Sequence, residues 1–290
     1  MVGFAQFIAG LSVILFCLAP MARATTALAE KEGTRIPDKH MMLSGPIDAR
    51  FVAAIAQISR KYPTIRVLVI DSEGGEVEAA LQLAQLVRDH GWDVVVKNKC
   101  LSACANYVFP SGKHKIVLPN SWVGIHERTR RFNGADGSVS YVSGNEIVRE
   151  MAIGKIDATS AIAARKWDAD NLAFYRSLGL STALVQDFAD YVSYRKHVLG
   201  VEDVGQFPDV PGCPNLRMWA LNKKQLEEMG VTGIDDFWFP ANKEEERTLY
   251  KDKILPLGSI YIGGAEKLST LCKGPALNAF QTAWLKRAPH

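Results

Sequence analysis

Charge of one sign is what this sequence has least of. Its 34 basic and 31 acidic residues leave a formal charge of +3 over 290 positions, too little for the long-range field by which proteins attract nucleic acid or other polyanions. A nucleic-acid partner is therefore not expected, and the charge balance says nothing about substrate. Internal repeats and low-complexity stretches are absent as well, which removes repeat architectures. Cysteine is scarce, five in all. Only Cys100 and Cys104 stand close together, with no second close pair and no histidine at ligand spacing, so a zinc site is the weaker reading and no metal is expected.

What is present starts with an apolar stretch, Phe4 to Leu18, closed by Pro20 and then Ala22-Arg23-Ala24, the small-x-small pattern of signal cleavage. Residues 1–24 read as an export leader, or as an N-terminal membrane anchor if left uncleaved. Phe16 before Cys17 does not fit a lipoprotein box. A polar segment over 25–39 follows. Cys100, Cys104, Cys213 and Cys272 remain beyond the leader, an even number that suits disulfides in an oxidising compartment such as the periplasm and allows three pairings.

A chain 48% hydrophobic and 22% charged at this length buries one good core with additions. His40 to Leu43 reads as a strand, and Asp48 to Lys61 as a helix with Phe51, Ile55 and Ile58 on one face. Arg66 to Ile70 is a β-branched run of the kind found in parallel strands covered on both faces. It ends in Asp71-Ser72-Glu73-Gly74-Gly75, after which Val77, Ala80, Leu81, Ala84 and Val87 recur at helical intervals up to Gly91. Trp92 to Val96 is the next strand, Ser102 to Phe109 a short helix, and His114 to Leu118 and Trp122 to Ile125 two further strands. This βαβαβ order predicts an α/β domain over 40–262 with a mostly parallel sheet. Arg128 to Gly137 reads as an exposed loop and 143–200 as a helical insertion. Leu221 to Met229 reads as a helix, Lys243 to Lys253 as a solvated charged face, and 263–290 as a tail of little pattern.

Three features could carry chemistry. Alone, a double glycine after a strand is a tight turn or a close backbone approach. Alone, Ser102 is a helix N-cap and His126 a hydrogen-bonded structural ring. Together they supply what acyl transfer needs. A serine hydroxyl requires a base within reach and donors for the oxyanion it generates. A turn from strand to helix presents Ser102 at the carboxyl edge of the sheet, beside the Ala103 amide, and Gly75 on the neighbouring turn offers a second.

The stretch Ile70 to Glu127 resembles the core of the ClpP family. The matching pieces, in order, are Ser72-Glu73-Gly74-Gly75, Leu101-Ser102-Ala103 and Leu118-Pro119-Asn120-Ser121-Trp122-Val123-Gly124-Ile125-His126. Weaker echoes lie at Met42 to Ile47 and Asn222 to Ile234. The resemblance implies a ClpP/crotonase-like β-β-α superhelix, Ser102 as nucleophile, His126 as general base, the Gly75 and Ala103 amides as oxyanion hole, and no cofactor. It also implies peptide or unfolded-protein substrates and a homo-oligomer. Two departures stand out. The nucleophile lies in Cys100-Leu101-Ser102-Ala103-Cys104, an arrangement that resembles exported relatives of the family, and a bond between those cysteines would rigidify the turn. The third triad member should fall near Cys213 and Pro214, where no carboxylate stands. Asp209 is the nearest candidate, with a dyad, a carbonyl or Asn215 as alternatives.

The expectation is an exported serine peptidase; the rivals are an inactive ClpP-like binding or scaffold protein of the cell envelope, and a crotonase-type CoA-thioester enzyme. Lys97, Lys99, Lys113 and Lys115 read as solvated faces rather than as the base of a Ser/Lys pair, and Phe237-Trp238-Phe239 as core packing.

Overall fold

A computed structural model describes residues 40–133, 139–143, 147, 151, 156–199, 212–252, 254–268 and 270–272. Residues 1–24, read as a leader, the polar segment 25–39 and Asp209 lie outside the described residues. Among the described residues no helix is long and apolar enough to cross a membrane.

The first strand, β1 (Met41–Ser44), leads into α1 (Ala49–Lys61), which starts where the Asp48 carboxylate accepts the Phe51 amide at 2.8 Å. Helix α1 buries Val52 and Ile55. Next come β2 (Val67–Ser72), α2 (Val77–His90) and β3 (Asp93–Leu101). A π-helical turn (Cys104–Val108) runs into one α-turn (Phe109–Ser111), together α3. Strands β4 (Lys115–Val117) and β5 (Trp122–Ile125) complete the section that the sequence pattern describes best. The remaining elements are β6 (Thr129–Asn133), β7 (Val139–Ser143), α4 (Ala158–Ser177), α5 (Ala183–Leu199), β8 (Met218–Ala220), α6 (Lys223–Glu228), β9 (Ile234–Phe237), α7 (Lys243–Thr248), β10 (Ile260–Ile262) and α8 (Ala265–Leu268).

The main sheet runs β1-β2-β3-β5-β8-β10, with β4 and β9 branching from β3. Every pairing in it is parallel except β5 with β8. The expected α/β class and mostly parallel sheet are what the structure has. Strand β3 is longer than the apolar run Trp92 to Val96 suggests, because Asn98 at φ +68 bends it without ending it. Val94 to Val96 pair with β4 and Lys99 to Leu101 with β5. The Asn98 side chain is tied down at 2.8 Å to Asp71, and its amide at 2.8 Å to the Ser121 hydroxyl.

One expectation needs correction. Arg128 to Gly137 is not simply an exposed loop, since Thr129–Asn133 and Val139–Ser143 form an antiparallel pair and Arg128 is buried. The arginines hid a strand that Thr129, Phe132, Val139, Tyr141 and Val142 favour. The helices after His126 pack into the same core as the sheet. Tyr175, Leu184, Phe188 and Val192 join Leu68, Ile70, Leu83 and Val96 in one continuous core, each such side chain contributing about 2 kcal/mol by leaving water. The stretch Lys243 to Thr248 is a helix with no buried residue, the solvated face that its charges predict.

Four cysteines settle on one of the three pairings open to the sequence, Cys100 with Cys104 and Cys213 with Cys272. The second bond spans 59 residues and fastens the turn before β8 to the end of the described chain. Closing a loop of that length restricts the unfolded chain by about 4 kcal/mol. Replacing Cys213 and Cys272 together by serine is expected to lower the unfolding free energy by roughly that amount, measured by urea titration of the oxidised proteins.

Candidate active site

Strand register builds the site. Strands β3 and β5 are adjacent and parallel, with Lys99 opposite Trp122, Cys100 opposite Val123 and Leu101 opposite Gly124. Ser102 and His126 therefore leave the same edge of the sheet, one and two residues past the last pair. The Ser102 amide donates to the Gly124 carbonyl at 2.9 Å, which carries the coupling one residue further. Beyond it the Ser102 hydroxyl and His126 Nε2 are 2.6 Å apart. Such a distance is within the reach required for direct proton transfer.

Ser102 is not the helix cap that its position alone suggests. It sits at φ +55, in the left-handed region that a non-glycine residue occupies at a cost of about 1–3 kcal/mol, and the π-turn begins only at Cys104. Three features hold this conformation. The Asn106 amide donates to the Ser102 carbonyl at 2.8 Å, the disulfide brackets the turn on both sides, and the neighbouring strand's turn presses against it. That last contact explains the first glycine of the pair. A Cβ on Gly74, at φ +96, would lie 2.6 Å from both the Leu101 carbonyl and the Ser102 Cβ. Gly75 is required for a different reason, since a Cβ there would stand 2.2 Å from the Ile47 carbonyl oxygen.

Gly75, Ser102, Ala103 and His126 line one cleft of about 490 Å³. The four residues picked out from sequence are thus together. Around them stand Glu76, Glu78, Asn106, Tyr107, Arg128, Arg130 and Trp167. Asn106 is 2% exposed, and its Nδ2 donates to the His126 carbonyl at 3.0 Å, fixing the backbone of the histidine. Tyr175 in turn donates to the Asn106 carbonyl at 2.8 Å. Buried Arg128 is paired with Asp168 of α4 at 2.9 Å.

His126 Nδ1 faces the Glu127 carboxylate at 3.5 Å. Reasoning from sequence missed Glu127, because adjacent residues in a strand point to opposite faces. Strand β5 ends at Ile125, so the alternation stops before this pair. Asn106 was missed as well; its spacing of four from Ser102, one helical turn, is the signal that could have found it.

The lysine expectation holds for Lys113, which is exposed, and fails for Lys115, which is 2% exposed. Lys115 donates to the Gly112 and Thr232 carbonyls at 2.6 Å each and does not line the cleft. Lys99, largely covered, bridges Glu73 at 3.3 Å and Asp252 at 2.9 Å. Phe237 packs edge-on to Phe109 and stacks on Phe239, as a packing role predicts. Among the described residues no group of three or more His, Cys, Asp or Glu could hold a metal ion.

No family profile matches the chain, and no curated protein matches it. Among solved structures, the chain is similar to a mutant of the 1510-N membrane-bound stomatin-specific protease. The two are 12% identical over 52% of this chain and 68% of that one, with a TM-score of 0.34. This is a coarse likeness to a protease and carries no argument about the site.

Two measurements probe this architecture. Gly74→Ala is expected to lose about 2–4 kcal/mol of stability in urea unfolding, because neither the Leu101 carbonyl nor the Ser102 backbone can yield the space. Burial lowers the Lys115 pKa to about 8 from 10.5, against an opposing pull from Asp235. Below pH 8 both folded and unfolded chains hold the proton. Between pH 8 and 10.5 the unfolded chain binds more, so stability rises with pH by an amount on the order of 3 kcal/mol. Comparing wild type with Lys115→Met across that window should show the rise in wild type alone.

Proposed function

We propose that this chain is an exported serine hydrolase, a peptidase that works through an acyl-enzyme on Ser102. The observation that carries the reading is the 2.6 Å contact between the Ser102 hydroxyl and His126 Nε2. For the serine to donate, Nε2 must be unprotonated, which leaves the ring hydrogen on Nδ1.

In the proposed reaction the Ser102 oxygen attacks the carbonyl carbon of a peptide bond while His126 Nε2 takes its proton. The carbonyl oxygen becomes an oxyanion, received by the backbone N–H groups of Gly75 and Ala103. Neither amide has a backbone or side-chain acceptor among the described residues, so both are available for this role. The imidazolium then returns its proton to the departing amine nitrogen as the C–N bond breaks. Water, deprotonated by the same ring, cleaves the ester and restores the serine. The step uses only this chain's own groups and a water molecule.

The leader and the cysteines support an exported location. Both cysteine pairs are almost fully buried and bonded, an arrangement suited to an oxidising compartment such as the periplasm. There the substrates would be peptides or unfolded chains, with no ATP-driven unfoldase to supply them.

A fluorophosphonate probe tests the reading on the folded, mature protein. Wild type is expected to be labelled at Ser102, Ser102→Ala not at all, and His126→Ala at least about 100-fold more slowly. A folded wild type that resists the probe would overturn the hydrolase reading in favour of a ClpP-like binding protein. Turnover of acyl-CoA thioesters but not peptide esters would redirect it to crotonase-type chemistry.

A further inference from the structure

A base that takes a proton at Nε2 works best when Nδ1 is held by a group that fixes the ring and favours the imidazolium. Among the described residues the acidic group facing that nitrogen is the Glu127 carboxylate, at 3.5 Å. We propose that Glu127 is the residue that positions His126, taking the place of a carboxylate supplied from a distant segment. The proposal rests on the hydrolase reading of the same cleft.

Three observations converge on it. The Glu127 side chain is 15% exposed and that of His126 22%, so their interaction is screened less than a surface pair. Both residues line the cleft that holds Ser102, although they are consecutive in sequence. The peptide that joins them is anchored, since Asn106 Nδ2 donates to the His126 carbonyl at 3.0 Å. A carboxylate one residue from its histidine, on an anchored backbone, needs no second element to bring it into place. At 3.5 Å the contact is longer than a charge-assisted hydrogen bond, as catalytic contacts often are before substrate binds. Other charged and titratable groups lining the cleft are Glu76 before α2, Glu78 within it, Tyr107 of α3, and Arg128 and Arg130 at the start of the hairpin. Asp168 from α4 already pairs with Arg128.

The experiment follows two signals across pH in the full mature protein, the labelling rate of Ser102 by a fluorophosphonate and the NMR titration of the His126 ring. Glu127→Gln keeps the shape and removes the charge. It is expected to lower the plateau labelling rate about tenfold or more and to move the ring's titration midpoint to lower pH by roughly half a unit to one unit. Glu127→Asp, which keeps the charge on a shorter arm, should hold the midpoint near wild type with an intermediate rate. A purely structural role would lower the rate without moving the midpoint. An unmoved midpoint in Glu127→Gln therefore overturns the assignment of Glu127, whatever the labelling shows. Absence of labelling in wild type overturns the hydrolase reading and leaves the ring titration to judge Glu127 by itself.

Discussion

The pairing of β3 with β5 is the constraint on which the site depends. Leu101 stands opposite Gly124, and the Ser102 amide extends that register by donating to the Gly124 carbonyl. A slip of one residue would turn every side chain of the later strand to the other face of the sheet. Ser102 would then meet the wrong side of β5 and His126 would point away. What prevents the slip is the division of β3 at Asn98: the first half is committed to β4, the second to β5, and Ser121 and Asp71 clamp the bend between them. The polar stretch Lys97-Asn98-Lys99, which interrupts the apolar run, is therefore what lets one strand serve two partners.

Close approach is the second constraint, and the glycine pair is what permits it. Gly74 lets the turn after β2 touch the Ser102 backbone, and Gly75 lets the chain cross Ile47, where the Ile47 amide donates to the Gly74 carbonyl at 2.7 Å and the Glu76 amide to the Ile47 carbonyl at 2.9 Å. These bonds flank Gly75, which lines the cleft. A left-handed serine is costly, and the packing around it over-determines the conformation: a glycine on one side, a disulfide bracketing the turn, and a backbone bond from Asn106.

Much of this was legible in the sequence because it rests on local rules. Strands β2 and β5 and helices α1 and α2 follow from apolar periodicity, glycine placement and the βαβ order, whereas the meeting of Gly75, Ser102, Ala103 and His126 is what the resemblance of Ile70 to Glu127 to the ClpP family implied. What was not legible depends on tertiary context. The burial of Lys115 is invisible because two backbone carbonyls, from Gly112 and Thr232, hold its ammonium. The β6 strand is masked by the arginines in and just before it, of which Arg128, ahead of the strand, finds Asp168 forty residues later. Glu127 escapes notice because alternation along a strand places it on the wrong face, and only the end of β5 at Ile125 releases it.

The helices that follow the site then belong to it. Asn106 touches the histidine through its side chain and receives Tyr175 of α4 through its carbonyl. Tyr107 donates to Asn171, and Asn171 donates to the Trp167 carbonyl, so the π-turn is bonded to α4 at two neighbouring points. Arg128, just past the histidine, is paired with Asp168 on the same helix. These groups are nearly all buried, where an unmade hydrogen bond costs about 1–3 kcal/mol. The cleft is thus held from below by the sheet register and from the side by α4. The backbone of His126 is tied into both, so a displacement of α4 would reach the imidazole through Asn106.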